Sequence, residues 1–340
     1  MHCLPKAVRC GSSKFQGNNG SYVMRVTLGR PSVADTLAIS VAMMDPRISS
    51  WLNSFPYDGF KSLDAPLNSA TLGEYAILVE GRFAGLFLAA PELGCWVDRK
   101  YRRQGVATRA AVLALSRYFA QGGGFSQARS LPENEAMRLF LKVLGFRESA
   151  DASSLEHPPA VILHRLTRDD FAQAQPFALT TARTTVSLIQ PKDYALIYDI
   201  AMRRDVLNGH SLAAPAMTKA AFTARFTPFR ASLPVHALIQ IQGRTVGYIG
   251  INDDPLPKVD LLLLPEVWGL GIASEVLPAF CAEIFERYLP TEIYAEVRTD
   301  NLAACKVMER SGFKPDPCMT DMLSQNGMLR FRCKRPFSQI

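Results

Sequence analysis

Arg102-Arg103-Gln104-Gly105-Val106-Ala107 joins a short apolar run, Cys95-Trp96-Val97, to a long stretch of helical periodicity. The same arrangement returns 166 residues later as Trp268-Gly269-Leu270-Gly271-Ile272-Ala273, entered from Leu261-Leu262-Leu263-Leu264. Working outward, Gly81-Arg82-Phe83-Ala84-Gly85 recurs as Gly243-Arg244-Thr245-Val246-Gly247, a shift of 162. Downstream, Asn134 through Gly145-Phe146 recurs as Asn301 through Gly312-Phe313, a shift of 167. Three landmarks in one order at a nearly constant offset mark a duplicated domain. The small drift places short insertions in the loops between them.

The chain has 340 residues, 48% hydrophobic and 20% charged, which is enough apolar material for two cores. Boundaries fall at a disordered, Gly/Ser/Asn-rich leader over 1–22, a first domain over 23–167, a linker over 168–182 and a second domain over 183–340. Met24 is a second candidate start. The leader has no apolar centre and does not read as a secretory signal. No apolar run approaches the ~20 residues that span a bilayer, so no membrane association is expected. Seven cysteines (Cys3, Cys10, Cys95, Cys281, Cys305, Cys318, Cys333) form no C-x-x-C pair. That spacing argues against zinc and a disulfide framework, and for a reducing cytoplasm.

Net charge is +7. A basic balance fits a solvated surface, an acidic ligand or an RNA partner. Arg99, Lys100, Arg102, Arg103 and Arg109 crowd around one glycine turn, a patch sized for a polyphosphate. No aromatic-plus-basic stripe accompanies it, so nucleic acid is not the expected partner.

In the first copy, the sequence predicts strands over Met24–Gly29, Tyr75–Glu80, Phe83–Ala89, Glu92–Val97 and Ala160–Leu166. Helices are predicted over Val33–Met44, ended before Pro46, and over Val106–Ala120 and Glu133–Leu144, the last closed by Gly145. In the second copy, strands are expected at Thr184–Ile189, His236–Gln242, Thr245–Ile251, Val259–Leu264, Glu292–Val297 and Met328–Cys333. Its helices are expected at Lys192–Arg203, Ile272–Tyr288 and Leu302–Ser311, with a polar, variable stretch before Pro234. This alternation predicts an α+β class, a three-layer α/β arrangement with a mixed, mostly antiparallel sheet flanked by helices in each copy.

A strand feeding a glycine turn that opens a helix can hold phosphate, because the first-turn N–H groups are free and the helix dipole favours an anion. The same pattern also serves as a simple cap. Its recurrence with a downstream asparagine and a Gly-Phe-terminated helix favours the ligand reading.

Cys95 through Ala107, with Arg102-Arg103-Gln104-Gly105-Val106-Ala107 at its core, resembles the acetyl-CoA signature of the GNAT N-acetyltransferase superfamily. Asn134 through Phe146 is similar to the second half of that signature. Leu264 through Glu275 and Asn301 through Phe313 resemble the Rim-type branch, which acetylates protein N-termini. Asp45-Pro46-Arg47-Ile48-Ser49-Ser50-Trp51-Leu52 is also Rim-like.

The resemblance implies two tandem GNAT folds, each with its fourth and fifth strands splayed to admit the pantetheine arm. It implies acetyl-CoA contacts at Val97, Arg102, Arg103, Gln104, Gly105, Val106, Ala107 and Asn134 in the first copy. In the second copy the implied contacts are Leu263, Trp268, Gly269, Leu270, Gly271, Ile272, Ala273 and Asn301. Asn134 and Asn301 also suit helix N-caps. The implied reaction is direct attack of a primary amine on the thioester in a ternary complex. The acceptor would be a protein N-terminus or a small-molecule amine, on a monomer or homodimer, without a metal.

Attack requires a base, for which Glu92 and Asp260 are the candidates; Lys258 stands where Glu92 aligns. His210, His236 and Tyr194 lie in or near the variable stretch. Many family members place a thiolate-protonating tyrosine four residues before the Gly-Phe glycine, but here those positions hold Leu141 and Met308. The competing reading is a non-catalytic CoA-binding regulator with one or both halves degenerate. The cation-rich first turn favours tight binding there, with no cation expected at the second turn, whereas Met308 and Asp260 favour chemistry in the second copy.

Overall fold

The computed structural model describes residues 24–30, 35, 38, 39, 41, 44, 74–89, 92–149, 161–207, 217–226, 232–253, 256–316 and 327–335. The helix expected over Val33–Met44 lies largely outside them, and the Rim-like phrase at Asp45–Leu52 and His210 lie wholly outside.

The first copy is built from β1 (Val26–Gly29), β2 (Glu74–Val79), β3 (Arg82–Leu88), β4 (Gly94–Val97), α1 (Val106–Ala120), β5 (Phe125–Ser130), α2 (Glu135–Leu144), β6 (Arg147–Glu148) and β7 (Ile162–Thr167). Then α3 (Arg168–Ala174) leads to β8 (Ala178–Thr180) and β9 (Thr185–Leu188). The second copy continues with α4 (Tyr194–Ala201), α5 (Arg204–Leu207), α6 (Lys219–Thr223), β10 (Val235–Ile241), β11 (Arg244–Asn252) and β12 (Lys258–Leu263). It closes with α7 (Ile272–Tyr288), β13 (Glu292–Arg298), α8 (Leu302–Arg310), β14 (Lys314–Pro315) and β15 (Met328–Lys334).

Strands β1-β2-β3-β4 form one antiparallel sheet and β5-β7-β6 a second, and a parallel bridge between Glu92 and Gln127 links the two. The second copy forms one sheet in the order β14-β15-β13-β12-β11-β10-β9-β8. Among the described residues its parallel contact, β12 with β13, is a single rung, Lys258 opposite Tyr294. Each copy therefore has two strands that touch once and then diverge. The mixed, mostly antiparallel α+β architecture follows the expectation from the sequence.

Gly85 and Gly247, the second glycines of the repeated hairpin, are set by close strand approach. A Cβ would meet Trp96 O at 2.0 Å in one and Leu262 O at 2.2 Å in the other.

Where the sequence suggests a plain link at 168–182, α3 is capped by the Thr167 hydroxyl and buries Phe171 in the first core. Phe177 enters the second core and β8 extends the second sheet. The strand expected at Glu92–Val97 starts only at Gly94, because Glu92 turns out of the β3 ladder to bridge β5. The helix expected over Lys192–Arg203 opens as a 3₁₀ turn at Pro191–Asp193, where proline's fixed φ suits a first helical position.

Helices α1 and α7, which open at the two glycine turns, pack against each other. This explains why Ala110 through Leu115 are all buried: one side of α1 covers its own sheet and the other meets α7. Arg109 donates a bidentate pair to Glu283 at 2.8 and 2.7 Å, and Arg287 donates to the same carboxylate at 2.6 Å. Arg117 Nε donates to the Glu286 carbonyl at 2.9 Å. Burial alone raises the Glu283 pKa, but hydrogen bonds and charge from Arg109 and Arg287 hold it at about 2.

Candidate active site

The two glycine turns share one backbone trace. Arg102 and Trp268 are extended, at φ −68°, ψ 154° and φ −65°, ψ 149°. Arg103 and Gly269 follow in the left-handed region at φ 61° and 74°, and Gly105 and Gly271 return to it at 75° and 78°. Glycine reaches that region without the Cβ clash that Arg103 bears. Side chains at the first position tie the turn to the preceding strand in the same way. Arg102 Nε donates to Val97 O at 2.8 Å, and Trp268 Nε1 donates to Leu263 O at 2.8 Å. Guanidinium and indole, chemically unlike, thus make one bond. The intrahelical ladder starts at Arg109 N–H to Gly105 O and Glu275 N–H to Gly271 O. That leaves the amides of Val106, Ala107 and Thr108, and of Ile272, Ala273 and Ser274, directed at the turn's mouth. A Cβ on Gly105 would meet nothing within 4 Å. Open space, free amides and a helix N-terminus suit a pyrophosphate.

The cations are distributed differently from the sequence expectation. Arg109 is drawn away from the first turn into its ion pair with Glu283. Lys100 pairs with Asp98 at 3.7 Å. Arg99, Arg102 and Arg103 remain exposed at the turn. The second turn does have a cation: Arg183 reaches it from the segment before β9 and donates to Leu270 O at 2.8 Å. Its Nε pairs with Glu275 at 2.6 Å, and the Thr181 hydroxyl meets the same carboxylate. Local sequence around Gly271 carries no trace of Arg183, because the contact spans 87 residues.

Asn134 and Asn301 are N-caps, accepting from Met137 N–H at 3.1 Å and Ala304 N–H at 3.0 Å. Leu141 and Met308 are buried in the two cores and offer no proton donor.

Beyond the single rung, the wedge between β12 and β13 has one apolar and one charged face. Val259, Ile293, Ala295 and Val297 enter the core beneath α7. Lys258, Asp260, Tyr294 and Glu296 alternate to the other side. Lys258 Nζ bridges the wedge to Glu296 Oε2 at 3.1 Å, and Arg330 holds the other oxygen at 2.8 Å. One position further into the opening, Asp260 accepts from Asn252 Nδ2 at 3.3 Å. Burial raises the Asp260 pKa, Lys258 and Arg225 counter that, and Glu296 adds to it. Leu264 N–H donates to Val246 O at 2.8 Å. By alternation, the amides of Leu263 and Leu261 face the wedge.

In the first copy, Glu92 reaches across its wedge to Arg129 at 3.5 Å. Glu92 Oε1 is buried without a partner, and burial raises the carboxyl pKa more than Arg129 lowers it. The position corresponding to Asp260 is Gly94.

His236 is buried on β10, with Nδ1 at 2.8 Å from the Tyr248 hydroxyl and its ring edge-on to Phe226. Burial lowers its pKa to about 4, so it is neutral near pH 7. Tyr194 stacks on Phe226 at 5.2 Å in the same aromatic cluster. Both residues are built into the layer beside the wedge. Among the described residues no cluster of His, Cys, Asp or Glu could hold a metal ion, and no helix is long and apolar enough to cross a membrane.

A strand that splays after one rung, followed by a glycine turn and a long helix, occurs twice among the described residues, the pattern of a duplicated transferase fold. Residues 183–314 match the acetyltransferase (GNAT) domain, and residues 51–146 match the acetyltransferase (GNAT) family. The chain belongs to the GNAT acetyltransferases and carries two such domains in tandem. No curated protein sequence matches it. Among solved structures it is similar to an acetyltransferase from Agrobacterium tumefaciens, at 22% identity and TM-score 0.38, over 47% of this chain and 95% of that one. It is also similar to RimL, a ribosomal L7/L12 α-N-protein acetyltransferase in complex with coenzyme A, at 17% identity and TM-score 0.38, over 46% and 98% of the two chains. Spermidine N-acetyltransferase from Vibrio cholerae, in complex with CoA and spermine, aligns at 14% identity and TM-score 0.39, over 45% and 96%.

Proposed function

We propose that the chain is an acetyl-CoA-dependent N-acetyltransferase acting on a primary amine, with the chemistry in the second copy. The observation that carries this reading is Asp260, a carboxylate just inside the second wedge where the first copy has Gly94. Acetyl-CoA supplies the thioester. Its pyrophosphate is held by the free amides of residues 272–274, with Arg183 and the Gly269–Gly271 backbone beside them. The first copy offers Arg102, Arg103 and the amides of residues 106–108 for the same purpose.

The acceptor arrives as an ammonium ion and gives a proton to Asp260, whose raised pKa makes it a better base than an ordinary carboxylate. The freed nitrogen lone pair forms the N–C bond to the thioester carbonyl. Amides on the open edge of β12, Leu261 and Leu263, face the oxyanion that develops there. As the oxyanion collapses the C–S bond breaks and the thiolate leaves with the electron pair. The nitrogen gives its second proton to water, and water passes one to the thiolate, because Met308 cannot give one.

Asp260→Asn tests this. With a peptide α-amine and spermidine as acceptors, turnover falls roughly 10²- to 10³-fold while acetyl-CoA affinity is kept. Undiminished turnover removes Asp260 from the mechanism. The regulator reading draws on the buried Leu141 and Met308; it requires that the wild type bind acetyl-CoA and acetylate neither amine.

A further inference from the structure

The two wedges carry the same ion pair with its charges exchanged. Glu92 and Lys258 occupy the one rung at which each wedge is closed. Opposite them, Arg129 and Glu296 stand two residues beyond Gln127 and Tyr294 on the partner strands. The first copy pairs carboxylate to guanidinium at 3.5 Å, and the second pairs ammonium to carboxylate at 3.1 Å. All four side chains are partly buried, between 18% and 32% exposed. At equivalent places in two diverged copies the sign of each charge has changed and the attraction has been kept.

We infer that Glu92–Arg129 and Lys258–Glu296 are positioning clamps that close the apex of each wedge. Glu92 is then a clamp residue and not a base, because its counterpart is a lysine. What the two positions share is attraction across the strands. The backbone gives the clamp its purpose. At the apex the strands are joined by Leu93 N–H to Gln127 O at 2.6 Å, and by Tyr294 N–H to Pro257 O at 2.8 Å. With so few hydrogen bonds between diverging strands, like charges at the rung would push them apart. In the second copy Arg330 braces Glu296 from β15, whereas the residue paired with Arg129 on β7 is the apolar Leu163. The clamp matters to function only insofar as the wedge is the acetyl-CoA cleft, so that part rests on the proposed activity.

The first copy gives the test, because the residue paired with Arg129 on β7 is the uncharged Leu163, where the second copy has Arg330. Full-length Glu92→Lys, Arg129→Glu and the double exchange E92K/R129E are compared with wild type by hydrogen exchange at the Leu93 amide and by acetyl-CoA titration. Each single variant should exchange roughly tenfold faster at Leu93, and the double should return to within about threefold of wild type. Acetyl-CoA affinity at the first copy should fall and recover in the same pattern. If the double exchanges as fast as the singles, or the singles match wild type, the clamp is refuted. Should a single variant fail to fold, Glu92→Gln serves in its place: faster exchange at Leu93 supports the clamp and unchanged exchange overturns it. If the wild type binds no acetyl-CoA, the cofactor reading falls, while the exchange rates still decide the clamp.

Discussion

The strength of Asp260 as the proposed base is set by its neighbours. Lys258 and Asn252 act from β12 and β11, Arg225 from the segment after α6, Glu296 from β13, and the Tyr248 hydroxyl lies on the same face of the sheet. Burial dominates and places the carboxyl above its ordinary 3.8. As the proposed base it must be ionised, so activity should fall as pH drops through this raised value. Removing the Lys258 cation takes away a lowering influence and moves the acid limb to higher pH. The pH dependence of kcat/KM for Lys258→Met should therefore show its acid limb displaced upward from wild type. A displacement downward, or none, would detach that limb from Asp260.

Helices α1 and α7 connect the two turns, and their contact centres on one carboxylate. Glu283 is shared by Arg109 of the first copy and Arg287 of its own helix. Glu283→Gln leaves one buried and one half-buried cation facing a neutral amide, at a cost of about 3 kcal/mol. Because its pKa is depressed from 4.5 to about 2, Glu283 contributes fully above pH 4.5 and loses that contribution as pH falls through 2. Urea unfolding at pH 7 and near pH 2 checks both statements: the variant is less stable at neutral pH, and the difference closes in acid. An unchanged midpoint at pH 7 would mean that the helices dock without this pair. The sequence shows the same division between local and distant causes. Helices α1 and α7 are legible to the residue, because apolar spacing and a preceding glycine are local signals. Strand β5 is not, because its buried positions are Ser126, Ala128 and Ser130, small residues without β-propensity. The turns and both asparagine caps are legible. Arg183 at the second turn and the departure of Arg109 from the first are not, since each depends on residues far along the chain.

As a whole, the molecule is two GNAT domains joined through the helices that open at their glycine turns, with unequal equipment. The first turn has more exposed cations, and the second wedge holds Asp260 where the first copy has Gly94. Binding and turnover should therefore separate when each turn is blocked alone. At Gly105 and Gly271, with φ 75° and 78°, a tryptophan meets backbone strain of about 1 kcal/mol and fills the mouth with an indole. Calorimetric titration of acetyl-CoA should give two equivalents for wild type and one for each of Gly105→Trp and Gly271→Trp. Charge-assisted contacts make the equivalent that survives in Gly271→Trp the tighter. Gly105→Trp should keep turnover and Gly271→Trp should lose it. If turnover follows Gly105 instead, Asp260 is not the base and the first copy does the chemistry despite Gly94. If wild type takes up one equivalent, and Gly271→Trp alone abolishes it, the first turn is only a helix cap, and its exposed arginines serve some other anion.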